Sequence, residues 1–250
     1  MLFIVGVGVL VYVTSKPAPR QECRATVPNL TYKFDFDQAA SATTIAAVGA
    51  QLGLPPHAVT VALATALQES KLRNLPGGDR DSLGLFQQRP SQGWGTPQQI
   101  LDPVYSATAF YNALVKVKNW DTLAVNDAAQ KVQRSGTPTA YAKWEDQARF
   151  MAGVLTGQTP AGFVCRFPKH PSVATRASVT EAMTREFGQA TLGATDTARG
   201  WSEASWLVGH ARDYGIESVE FDGFQWKSST GKWNPRKSVQ PTVVFTGPPP

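Results

Sequence analysis

Between Asp37 and Leu155 apolar residues recur with the 3.6-residue period of amphipathic helices, interrupted by one polar, glycine-rich interval. Ser41, Ile45, Val48 and Leu52 fall on one face, and Gly53 stands where a helix would end. Pro55-Pro56 open a second helix, since proline is tolerated in a first turn. Its stripe is Val59, Ala62-Leu63, Ala66-Leu67 and Ser70, with Glu69 at the stripe's edge. From Gly77 to Gly95 the chain is rich in Gly, Pro, Gln and Asp, which predicts a loop or short hairpin lobe. Asp102-Pro103 start a third helix carrying Val104, Ala107, Phe110-Tyr111, Leu114 and Val117. A shorter helix covers Asp127 to Gln133, and another carries Tyr141, Trp144, Ala148, Met151 and Leu155.

Glycine and proline accumulate again from Thr156 to Ser172, as in a linker. Beyond it, Val179 to Phe187 and Trp201 to Tyr214 read as helices, while "SVEFDGFQW" and "PTVVF" read as strands. The pattern predicts a mainly α domain with a small irregular or hairpin lobe over 37–165, a linker over 166–175 and a small α+β domain over 176–246. Residues 1–36 are expected to hold an N-terminal apolar segment and a linker.

Composition narrows the classes. A 250-residue chain with 42% hydrophobic residues can bury a sizeable core, which excludes disorder throughout. The formal charge of +5 suits anionic surroundings such as cell-wall carboxylates or phosphates. Lys and Arg are scattered and form no dense run, so a nucleic-acid partner is not expected. Three scattered histidines without a CxxC or HExxH motif predict no metal site, and nothing in the chain calls for a cofactor. The apolar run Leu2 to Val13 is shorter than the roughly 20 residues of a membrane-spanning helix. It reads as the remaining part of a membrane anchor or export signal, which makes the membrane an expected partner, with a buried strand as the alternative. The expected location is extracellular or at the cell wall. Cys23 and Cys165 flank the first domain, which suits one structural disulfide in an exported protein, two free buried thiols being the alternative.

The candidate chemistry lies in "ALQESKLRNLPGGDRDSLGLFQQRP", residues 66–90. A glycosidic bond breaks when its leaving oxygen is protonated, and a Glu at a helix end under a covering loop can supply that proton. The simpler alternative is a surface pair between Glu69 and Arg73 at i+4. The Glu-Ser pair followed by "SLGLFQQRP" resembles the pattern of soluble lytic transglycosylases, and "GGDRDSLGLFQ" is similar to the corresponding loop of goose-type lysozymes. The two motifs cover 22 residues, Glu69 to Pro90.

This resemblance implies a lysozyme-like domain that cleaves the β-1,4 bond between MurNAc and GlcNAc in peptidoglycan glycan strands. Glu69 would be the catalytic acid, with Ser70 beside it and Gly84, Leu85 and Gln87 lining the sugar cleft. Goose-type lysozymes carry an aspartate shortly after the loop motif, where this chain has Gln88-Arg89. Asp79, with Asp81 nearby, is then the candidate for a second carboxylate that holds water, unless it only shapes a turn beside Gly78. With one assured acid, lytic transglycosylation is the more economical mechanism. The alternatives are a hydrolytic muramidase using Asp79, and a non-catalytic wall-binding protein that keeps the cleft. Gln87 and Gln88 carry amides able to bond sugar hydroxyls, and Trp94 could stack on a pyranose or anchor packing. Tyr141 occupies roughly the position of the tyrosine that faces the acid in transglycosylases, with core packing as the alternative, and Gln130 is a further substrate-binding candidate.

The stretch "GWSEASWLVGHARDYGIESVEFDGFQW" resembles a small uncharacterised domain of exported actinobacterial proteins. His210 is expected to be structural there, and Trp226 and Trp233 are candidates for exposed wall contacts.

Overall fold

The computed structural model describes residues 21–27, 29–168, 172, 174–188 and 196–249. These residues form a mixed α+β structure, largely helical, with two small antiparallel sheets. Helix α1 (Phe36–Gln51) begins at a capping box in which Asp35 accepts from the Gln38 N–H and the Gln38 side chain returns the bond. Helix α2 (Pro56–Glu69) runs through the centre, with every residue from Ala58 to Leu67 buried. A helix apolar all round is a core helix. Its alanines let α5 (Val125–Gln133) and α6 (Glu145–Leu155) approach closely. The short α3 (Pro97–Ile100) leads into α4 (Pro103–Leu114), which packs across α1.

Residues 22–34 were expected to be linker, yet they form the hairpin β1 (Glu22–Val27) and β2 (Leu30–Phe34). The other edge of β1 pairs with β3 (Phe163–Arg166), which closes the expected first domain and enters the expected second linker only at Arg166. Cys23 and Cys165 face each other in that ladder, are fully buried and are joined by a disulfide, as expected.

The C-terminal region contributes α7 (Arg176–Phe187), α8 (Thr197–Gly209) and the short α9 (Ala211–Tyr214). A sheet follows in the order β6-β5-β4-β7, built from β4 (Ser218–Phe221), β5 (Phe224–Lys227), β6 (Lys232–Pro235) and β7 (Val244–Thr246). The expected strand "SVEFDGFQW" is two strands, because Asp222 (φ 49°) and Gly223 (φ 75°) turn the chain with both residues in the left-handed region.

Helices α7 and α8 pack on α1, and a Cβ on Gly209 would meet the Thr43 side chain at 2.7 Å, so glycine sets how closely α8 approaches. The indoles of Trp226 and Trp233 donate to the Cys165 carbonyl (3.1 Å) and the Phe163 carbonyl (2.8 Å). These bonds correct the expectation of exposed wall contacts, since Trp226 is fully buried and Trp233 only partly accessible. One continuous apolar core therefore runs from the α2 region into the C-terminal sheet. His210 packs tilted against Trp206 with ring centroids 4.3 Å apart, and burial lowers its pKa to about 3, so it is neutral and structural.

The membrane-anchor expectation is corrected. Among the described residues no helix is long and apolar enough to cross a membrane. The run Leu2 to Val13 lies outside the described residues.

Candidate active site

Helix α2 leaves the core at its last turn, so Gln68 and Glu69 emerge half-buried while Leu67 behind them stays inside. The chain then reverses sharply. Lys71 (φ 56°) and Leu72 (φ 62°) both adopt the left-handed conformation, which costs about 1–2 kcal/mol for each side-chain-bearing residue. The reversal is held because Leu72 is fully buried and donates its N–H to the Ala66 carbonyl (3.1 Å). Outside it, Gln38 donates to the Lys71 carbonyl (2.9 Å) and Arg73 pairs with Asp35. Arg73 is thereby turned to α1, and Glu69 makes no ion pair among the described residues.

The glycine-glutamine loop folds back onto this helix end. Leu83 and Gln88 exchange backbone hydrogen bonds of 2.9 and 3.0 Å, closing a tight bridge. Gly84 at its turn (φ 73°) lies so close to the Ile100 carbonyl that a Cβ would sit 2.7 Å from it, so only glycine fits. The Ser70 hydroxyl donates to the Leu85 carbonyl (2.7 Å), which fastens the loop beside Glu69. Phe86 stacks on Phe110 at 4.6 Å and its carbonyl accepts from the Gln133 amide (2.9 Å). Ser70, Leu85 and Gln88 are buried, so they build the wall of the site. The Gln88 amide donates to the Ser106 carbonyl (3.1 Å), and that commitment removes it from the sugar contacts expected of it. Gln87 stays partly accessible, its amide donating to the Gly84 carbonyl (3.1 Å).

Facing Glu69 is Tyr141, which follows α5 and precedes α6. Its hydroxyl donates to Glu69 Oε1 at 2.7 Å. Burial, and after it the Glu69 carboxylate, raise the Tyr141 pKa far above that of a free phenol, while a hydrogen bond from Ser135 acts the other way. Tyr141 is therefore a fixed donor. Beside it the Trp144 indole donates to Gln68 Oε1 (2.9 Å), and Lys71 Nζ lies over the Trp144 ring while bonding the Leu67 carbonyl (3.0 Å). A groove of about 610 Å³ adjoins through Ser135 and is lined by Leu123, Asp127, Gln130, Lys131, Ser135 and Pro138. Gln130 thus lies on that groove, its amide bonded to the Thr137 carbonyl.

The two candidate second carboxylates differ in placement. The Asp79 side chain is 93% exposed with Arg80 at 3.9 Å as its ion partner. Asp81 accepts from Arg89 Nε (2.6 Å) and the Ser91 N–H (2.8 Å), and first Arg89, then Ser91, hold its carboxyl well below the usual carboxylate range. Trp94 is partly buried against the core, with its carbonyl accepting from the Tyr105 hydroxyl (3.2 Å). Sequence reasoning missed Gln68, Lys71, Ser135 and Trp144 as parts of the site. The spacing Tyr141-x-x-Trp144, one helical turn, was the available signal.

No known protein family matches the chain, and no curated protein matches it.

Proposed function

We propose that the chain is a lysozyme-like enzyme that cleaves the MurNAc-GlcNAc bond of peptidoglycan glycan strands as a lytic transglycosylase, acting outside the cell or at its wall. The observation that carries this reading is the Tyr141 hydroxyl 2.7 Å from Glu69 Oε1, at a helix end covered by a loop pinned through Ser70 and Leu85. In the proposed reaction Glu69 protonates the glycosidic oxygen and the C1–O bond breaks. The MurNAc 6-hydroxyl then attacks C1 within the same sugar and returns its proton to Glu69. No water is consumed, and the intramolecular attack benefits from a high effective molarity. Tyr141 donates to the carboxylate formed between the two proton transfers.

Placement of the second carboxylates supports transglycosylation over hydrolysis. Asp79 is solvated and Asp81 is committed to Arg89, so neither is held over Glu69 by a contact among the described residues. The bridge between Cys23 and Cys165 supports an oxidising compartment. Glu69→Gln tests the acid directly, because the amide is nearly isosteric and has no acidic proton. The variant should fold and bind the wall but clear no peptidoglycan; clearance at the parental rate would remove Glu69 from the chemistry.

A further inference from the structure

Two cations without a carboxylate partner flank one indole at the edge of the Glu69 site. Lys71 Nζ lies 4.4 Å from the Trp144 ring centroid and Lys143 Nζ lies 5.5 Å from it. Both lysines are exposed, and neither forms a salt bridge among the described residues. Of the nearby acids, Glu145 pairs with Arg149 and Asp35 pairs with Arg73. Burial first, and then repulsion from Lys143, lower the Lys71 pKa, and only Glu69 acts in the opposite direction. Glu69 is already bonded to Tyr141, and a general acid ready to react carries no charge.

The reactive state thus leaves two like charges on one ring without a counter-charge. Lys71 is held there by the Leu67 carbonyl and by its left-handed backbone, so it cannot relax as a free surface lysine would. Local violations of this kind concentrate where a ligand supplies the missing partner.

We propose that the Lys71–Trp144–Lys143 edge binds a carboxylate of the substrate, so that the site selects an anionic, peptide-bearing glycan over a neutral one. This rests on the glycan-cleaving reading of Glu69. An oxyanion is the shared chemistry, with stem-peptide carboxylates as its proposed source and wall phosphate polymers as the other. The anion neutralises the lysine pair while Glu69 is in its acid form.

The test uses the full chain carrying Glu69→Gln and measures co-sedimentation with insoluble peptidoglycan. One sample has its phosphate polymers removed, and a second has its peptide carboxyls also converted to neutral amides. Binding should survive phosphate removal and weaken about 3- to 10-fold on amidation, as for loss of a rim charge contact. Lys143→Gln should weaken binding equally on carboxyl-bearing wall and have no effect on amidated wall, while Lys143→Arg restores binding. No side-chain hydrogen bond of Lys143 holds the α2 terminus, which is fastened through Ser70, Lys71 and Trp144, so its replacement leaves that terminus intact. Equal binding by Lys143→Gln, or binding that follows the phosphate polymers, overturns the proposal. Cleavage by the wild-type chain with lysine-independent binding would sink this inference alone. Absent cleavage with lysine-dependent binding would sink the catalytic reading alone.

Discussion

Opening the bridge between Cys23 and Cys165 should cost about 5 kcal/mol of stability. The closed loop has a sequence separation of 142 residues. The chain-entropy relation for cross-links then gives about 17 cal/mol/K lost from the unfolded ensemble, or about 5 kcal/mol at 25 °C. The bridge also sits where β1 meets β3, and β3 receives both indole hydrogen bonds from the C-terminal sheet. Loosening β3 should therefore weaken the sheet as well as the hairpin. Because both cysteines are fully buried, the comparison requires denaturant titrations equilibrated with and without reductant, alongside the Cys23→Ala/Cys165→Ala double variant. Tryptophan fluorescence follows the transition, since Trp226 and Trp233 report on the affected junction. A loss below about 1 kcal/mol in both comparisons would show that the ladder alone holds the hairpin, and would refute the entropic argument.

Three other outcomes follow from single contacts. Tyr141→Phe removes a bond worth about 1.5–3 kcal/mol to the carboxylate formed during the reaction, so kcat for wall lysis should fall roughly 10- to 150-fold, with stability lowered by no more than that same amount in denaturation. Unchanged kcat would take Tyr141 out of the reaction. Asp79→Asn should keep lysis within about twofold, because the side chain is 93% exposed, whereas a catalytic base would cost about 10² to 10⁴. Glu186 is buried, which raises its pKa to about 7 from an ordinary 4.5, while the Trp206 indole donates to it at 2.7 Å. A folded pKa above the unfolded one gives stability that is full below about 4.5 and is lost as pH rises to about 7. Glu186→Gln keeps the Trp206 bond and should gain up to about 3 kcal/mol on the parent between pH 4.5 and 8, read from denaturation at several pH values. A gap that does not change with pH would contradict this.

The helices were legible because their signals are local. The stripe from Val59 to Ser70 and the Asp102-Pro103 start placed α2 and α4 within a residue or two. Strand β3 was missed because its partner β1 lies about 140 positions away and no local period encodes that pairing, whereas β1 and β2 form a local hairpin whose pattern was passed over. Asp222-Gly223 was a readable hairpin signal that was passed over. At the site, the Ser70 hydroxyl bond to the Leu85 carbonyl places the loop beside the end of α2. The Glu69–Arg73 alternative failed because the partner of Arg73, Asp35, arrives from the start of α1, which an i+4 rule does not see. Gln88 looked like a sugar ligand on chemistry alone, but burial assigns its amide to Ser106.

Glu69 is proposed to cleave glycan strands by transglycosylation. Mass spectrometry of the fragments released from purified peptidoglycan by the wild-type chain and by Glu69→Gln tests it most directly. Wild-type products should end in 1,6-anhydro-muramic acid, and Glu69→Gln should release none. Reducing-end products from the wild-type chain, or continued release by Glu69→Gln, would contradict it.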